Sequence, residues 1–135
     1  MSRGRKIGLI AGIAAIAIAV FIVMRIIGMT DVLVEPVARQ LAALKAGNME
    51  AAYAETSEEF RTVTSQDEFT AFVNEYPALK DASDYSFPRR SFENDQGHIE
   101  GSITSSTGEV TPVAYDLRKE KGAWKIVFIG VNTTG

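Results

Sequence analysis

The chain has 135 residues, with 14 Lys and Arg against 17 Asp and Glu, a formal net charge of −3, one histidine and no cysteine. That length leaves room for one domain, and the absence of thiols excludes disulfides and Cys-based metal sites as sources of stability. Four of the basic residues (Arg3, Arg5, Lys6 and Arg25) lie in the first thirty positions, which hold no acid, so the rest of the chain is strongly acidic. Such a domain lacks the basic face that nucleic acid requires, and it gains nothing from simple attraction to anionic lipid.

In chain order, the first feature is IGLIAGIAAIAIAVFIVM, Ile7 to Met24, which carries no charge; beyond Arg25 the apolar character resumes through Ile26, Ile27, Gly28 and Met29. Eighteen helical residues span about 27 Å and twenty-three about 34 Å, against a hydrocarbon core of about 30 Å. Residues 1–29 are therefore expected to be a basic start and a transmembrane helix, with Arg25 snorkelling at its outer edge. The excess of positive charge before the span keeps the N-terminus cytoplasmic and puts residues 30–135 outside the cytoplasm. Composition fits a bacterial inner membrane. A cleaved signal peptide is the rival, but the apolar run exceeds a usual h-region and no small-x-small site lies between Met24 and Val32. Gly8 and Gly12, with Ala15 and Ala19, recur at four-residue spacing, which allows close packing on a second transmembrane helix. The partner expected there is a membrane protein complex or a second copy of the chain.

The folded domain opens on Thr30 and Asp31, which can cap a helix beginning at Val32, with Val34, Val37, Leu41 and Leu44 on one face and Pro36 in the first turn. Gly47–Asn48 stops it, and Met49, Ala52 and Tyr53 form a short second helix. Phe60 to Thr64, FRTVT, is β-branched and reads as a brief strand. SQDE at Ser65–Glu68 is a capping box; Phe69, Phe72, Val73 and Tyr76 follow at helical spacing until Pro77. From Ala82 the period becomes two. Strands are expected at Tyr85–Asn94, His98–Ser105, Val110–Arg118 and Ala123–Val131, joined by turns at Gln96–Gly97, Thr107–Gly108 and Lys121–Gly122. The last strand is apolar on both faces and is expected to be central or covered on both sides. The fold class is α+β: a transmembrane helix, then about three helices packed on a curved antiparallel sheet.

This order of elements resembles the nuclear-transport-factor-like superfamily, whose cones are close in shape to cystatin-like domains. The residues that carry the resemblance are PVARQLAALKAGNMEAAYAETSEEF, SQDEFTAFVNEYPAL and LRKEKGAWKIVFIGV, and it covers Val34 to Val131. It implies a cone-shaped domain but no single function, since the superfamily holds isomerases, dehydratases, assembly modules and transport adaptors. The stretch GHIEGSITSSTGEVTPVAYDLRKEKGAWKI on a single-span chain also resembles the cytochrome oxidase assembly factor family.

Candidate chemistry is sparse. His98 could pair with Asp116 as a catalytic dyad, but it follows an expected turn, where simple exposure explains it. Tyr115 and Asp116 point to opposite faces of one strand, as do Arg89 and Arg90. Tyr53, Phe69, Phe72 and Tyr76 could line a small-molecule cavity with His98 and Asp116, although core packing accounts for the aromatic residues. One histidine and no cysteine give no metal-ligand spacing, and no cofactor is expected. Asn132-Thr133-Thr134 matches a glycosylation sequon. Three readings follow: a non-enzymatic accessory subunit of a membrane complex, a membrane-tethered small-ligand-binding domain, and a cone-fold enzyme using His98 or Asp116. For the first, Gly8→Leu with Gly12→Leu is expected to weaken co-purification of the partner; unchanged recovery removes the anchor's part in binding.

Overall fold

The computed structural model describes residues 32–132. The expected span with Gly8, Gly12, Ala15 and Ala19, the Thr30–Asp31 cap and the end of the sequon lie outside them. Among the described residues no helix is long and apolar enough to cross a membrane.

Helix α1 (Val34–Lys45) turns Val37, Leu41 and Leu44 inward, and α2 (Met49–Ala54) restarts the chain with Asn48 as its cap, its side chain accepting from the Ala51 N–H at 3.1 Å. Residues Glu58–Val63 form helix α3, where a strand was expected from Phe60. The start signal outweighs the β-branched Thr62 and Val63. Ser57 accepts from the Phe60 N–H at 3.0 Å, and Glu58 and Glu59 add negative charge to the first turn. Helix α4 (Gln66–Glu75) begins with the capping box, each bond of which is 3.1 Å long. A 3₁₀ turn at Pro77–Lys80 leads into the sheet.

Strands β1 (Ala82–Glu93), β2 (Gln96–Ser105), β3 (Val110–Glu120) and β4 (Ala123–Val131) form an antiparallel meander in the order β1-β2-β3-β4. Alternation sends Phe87, Ile99, Ile103, Tyr115, Leu117 and Ile126 toward the helices, where they pack with Val37, Leu41, Phe69 and Val73. The turn between β1 and β2 is Asn94–Asp95, with Asn94 at φ +56°, rather than Gln96–Gly97. Gly97 belongs to the strand, and a Cβ there would stand 2.5 Å from Leu33 Cδ2. His98 therefore sits inside the ladder, opposite Ser91 on one side and Asp116 on the other.

Strand β4 is an edge strand, not a central one. Its two apolar faces come from a bulge: Asp116 pairs with Phe128 and Leu117 with Ile126, so Val127 is an extra residue and the alternation changes phase. Ile126 and Ile129, three apart, both reach the core, while Phe128 is 55% exposed. The edge is met by the segment after α2. Ile126 N–H donates to Glu55 O at 3.0 Å, and Ser57 N–H donates to Ile126 O at 2.8 Å, forming a parallel bridge at Thr56.

A second bulge bends the sheet. Phe87 and Pro88 of β1 lie between the pairs Ser86–Ser102 and Arg89–Glu100, so two residues face Gly101 alone. A Cβ at 101 would stand 1.8 Å from Ser86 O, a separation that nothing but glycine permits. Gly101→Ala is expected to cost about 3 kcal/mol or more in urea unfolding, since the obstacle is backbone and cannot rotate away. An unchanged midpoint would mean that β1 shifts freely off β2.

Candidate functional site

Around Tyr53, Phe69 and Phe72, where the expected pocket would lie, the cone interior is filled; a groove of about 270 Å³ remains between residues 76–78 and Ser105, Thr111 and Val131. Phe69 is fully buried between Tyr53 (ring centroids 5.7 Å) and Phe60 (6.0 Å). The Tyr53 hydroxyl donates to Thr64 O at 2.5 Å, so its polar end closes the α3–α4 connection instead of facing a ligand. Phe72 packs on Tyr76 at 5.1 Å. Phe87 meets Tyr115 edge-on at 5.8 Å beneath the sheet. Two buried polar atoms, the Tyr115 hydroxyl and Gln40 Oε1, have no hydrogen-bond partner among the described residues; burial pushes the Tyr115 phenol well above its usual pKa, so it stays neutral.

His98 and Asp116 lie across the sheet from Phe69, because alternate strand residues point to opposite faces and Ile99, Tyr115 and Leu117 take the inner one. Tyr53, Phe69 and Phe72 thus share the helical layer, while His98 and Asp116 share the opposite face, which is helix-free among the described residues. The structure does not bring the two groups into one pocket.

On the helix-free face His98 bridges two carboxylates. Nδ1 is 2.5 Å from Asp116 Oδ1 across the β2–β3 ladder, and Nε2 is 3.0 Å from Glu100 Oε1 two residues along its own strand. Arg89 Nη1, on the far side, approaches Glu100 Oε2 at 3.5 Å. A neutral imidazole could donate to only one of these acceptors, whereas the imidazolium donates to both. Hydrogen bonding to Glu100 first, and then to Asp116, accordingly raises the His98 pKa above 6.5, and the same contact with His98 lowers that of Glu100. While the ring is protonated both nitrogens donate and it has no lone pair with which to accept a proton. Glu100 escaped the sequence reading. The i, i+2 relation to His98 puts it on the same face, but its partnership depends on the hairpin register that also sets Asp116 opposite His98.

Two grooves flank this trio on the same face. The larger, about 610 Å³, runs over Pro112, Ala114 and Gly130 with Arg89 and Glu100 at its side. The other, about 550 Å³, is bordered by Ser91, His98, Asp116 and Val127. Among the described residues no cluster of three His, Asp or Glu could hold a metal ion.

An α+β domain with a four-stranded curved meander and helices on its inner face has the fold of the nuclear-transport-factor-2-like cones. The chain belongs to the family described as a domain of unknown function (DUF4864), whose model matches residues 30–134. No curated protein sequence matches it. Among solved structures the chain is similar to an NTF-2-like protein of unknown function from Shewanella oneidensis MR-1, at 15% identity over 76% of this chain and 97% of that one, with a TM-score of 0.57. It is also similar to a protein from Kribbella flavida DSM 17836, at 12% identity over 77% and 89% of the two chains, with a TM-score of 0.50. These likenesses carry the fold, and they add nothing to the resemblance to cytochrome oxidase assembly factors.

The His98 bridge makes stability depend on pH in one direction. Its folded pKa lies above the unfolded value of 6.5, so its contribution is complete below that value and is lost as pH rises through the folded pKa. The effect is expected to reach about 1 kcal/mol at most, because nearly half of each side chain is open to water. Thermal melts between about pH 5 and 9 should show this loss, and His98→Phe should remove it. A wild-type profile matching that of His98→Phe would show the bridge to be energetically silent.

Proposed function

We propose that the chain is a membrane-tethered, non-enzymatic accessory subunit that binds a larger membrane protein complex through the helix-free face of its sheet. One observation carries this reading: the space where a cone fold would hold a small molecule is occupied by Phe69, Phe87 and Tyr115, each at most 2% exposed. Two open grooves lie instead on the face that no helix of the described residues covers, and a smaller one of about 270 Å³ opens between residues 76–78 and Ser105, Thr111 and Val131. Pro112, Ala114 and Gly130 give that face a smooth, small-residue floor, while Arg89, Glu100, His98 and Asp116 give it a polar border, the pattern of an interface core with its rim. The doubly held imidazole supports the non-enzymatic part, since the one histidine is committed to its neighbours.

The tether is the reading of residues 1–29 given above, with the N-terminus in the cytoplasm and the domain outside the inner membrane of a bacterium. Small residues Gly8, Gly12, Ala15 and Ala19 extend the same partnership into the bilayer.

The test is purification of the intact protein from its own membranes in mild detergent, beside Ala114→Arg, which fills the floor of the larger groove without touching the core. The wild type should bring a stoichiometric membrane protein with it. The variant should lose about tenfold in recovered partner, some 1.4 kcal/mol, with an unchanged circular dichroism spectrum. Equal recovery by the variant would remove the sheet face from the interface. A wild type that carried a small molecule and no protein would move the reading to ligand binding.

A further inference from the structure

One end of the sheet carries an aromatic pair at the margin of the core: Phe92 is exposed, and Trp124 is half-buried with part of its ring against the hydrophobic cluster. Phe92 and Trp124 meet edge-on with ring centroids 6.3 Å apart, and Phe92 is 61% exposed. Both lie on the inner side of the sheet: Phe92 stands opposite Gly97, beyond the packed interior, and Trp124 stands opposite Lys119 near the β3–β4 turn, at the edge of that interior. Gly97 in turn packs on Leu33, the residue that precedes α1. The aromatic pair therefore occupies the end of the domain at which the chain enters it. The turn at the other end, between β2 and β3, consists of Ser106, Thr107, Gly108 and Glu109 and offers no ring.

The sequence limits how far that end can stand from a bilayer. The apolar run reaches Met29, four Cα steps before Leu33, which measure at most about 14 Å even when fully extended. An indole beside a phenyl ring suits the boundary between headgroups and acyl chains: the rings bury apolar area there while the indole N–H keeps a polar partner. Lys119 opposite Trp124 and Lys121 in the adjoining turn can reach phosphates, but Glu93, Asp95 and Glu120 at the same end cancel a net attraction. The driving force is thus apolar and independent of anionic lipid.

We propose that Phe92 and Trp124 dock this end of the domain into the phospholipid–water interface, fixing the sheet's helix-free face upright beside the membrane. The inference rests on the membrane tether of the proposed function. Trp124 is the chain's one tryptophan, so its emission reports this site alone.

The full-length protein would be reconstituted in phosphatidylcholine vesicles whose acyl chains are brominated near the headgroup end. Trp124 is expected to lose about half of its emission relative to unbrominated vesicles, as an interfacial indole should. Phe92→Ser should diminish that loss. Trp124→Phe combined with Val110→Trp moves the indole to an exposed position at the opposite end of the sheet, where emission should persist. Equal quenching at both ends would overturn the proposal. So would an unquenched Trp124 in a protein that resists alkaline carbonate extraction, whether a second copy or another protein covers the ring; the tether would then stand without the docking. Release by carbonate would instead remove the tether itself, and the docking with it.

Discussion

The approach of Ser86 O to Gly101 is the constraint around which the domain is organised. Two residues of β1 face one of β2 at this point, and the absence of a side chain at 101 lets the strands come close enough to bend. The bend turns Phe87 under the sheet and onto Tyr115. A flatter sheet would leave Phe87 outside and open a cavity above Phe69. The same glycine that shapes the cone thus also fills it, and a filled cone directs attention to the outer face.

That outer face is organised by strand alternation and little else. Once Ile99, Tyr115 and Leu117 are committed to the core, His98, Glu100 and Asp116 must share the other side. Their proximity is a product of register, and the two carboxylates favour the protonated form of the ring between them. The trio nonetheless leaves a mark on the surface, dividing an apolar, small-residue groove on one flank from a groove bordered by Ser91 and Val127 on the other.

Short-range signals were the legible part of the sequence. The box at Ser65–Glu68 involves residues three apart and forms as expected, and the first helix ends just before the stop at Gly47–Asn48. The opposition of Tyr115 and Asp116 follows from a period of two and also holds. Helix α3 was lost to the β-branched Thr62 and Val63, although Ser57 with Glu58 and Glu59 carried a start signal two residues before the presumed strand. The apolar run in β4 was read as two covered faces because a bulge cannot be seen without the partner strand: one extra residue at Val127 makes an edge strand look central. Gly97 misled for a related reason. A glycine after Gln suggests a turn, but the left-handed residue is Asn94, and Gly97 is small so that Leu33 can lie against it. The pairing of His98 with both carboxylates required register across two hairpins, which no local pattern encodes.

The bridge at Thr56 has a temporal meaning. The segment between α2 and α3 finds two of its main-chain partners, for Glu55 O and the Ser57 N–H, on Ile126 in the last strand of the domain. A chain made or exported from its N-terminus must hold its helical half unfinished until nearly all of it has emerged, because local contacts alone cannot close that long loop. Completion is then all at once, and a chain cut short before β4 offers a folding catalyst or a protease an open seam along its helices.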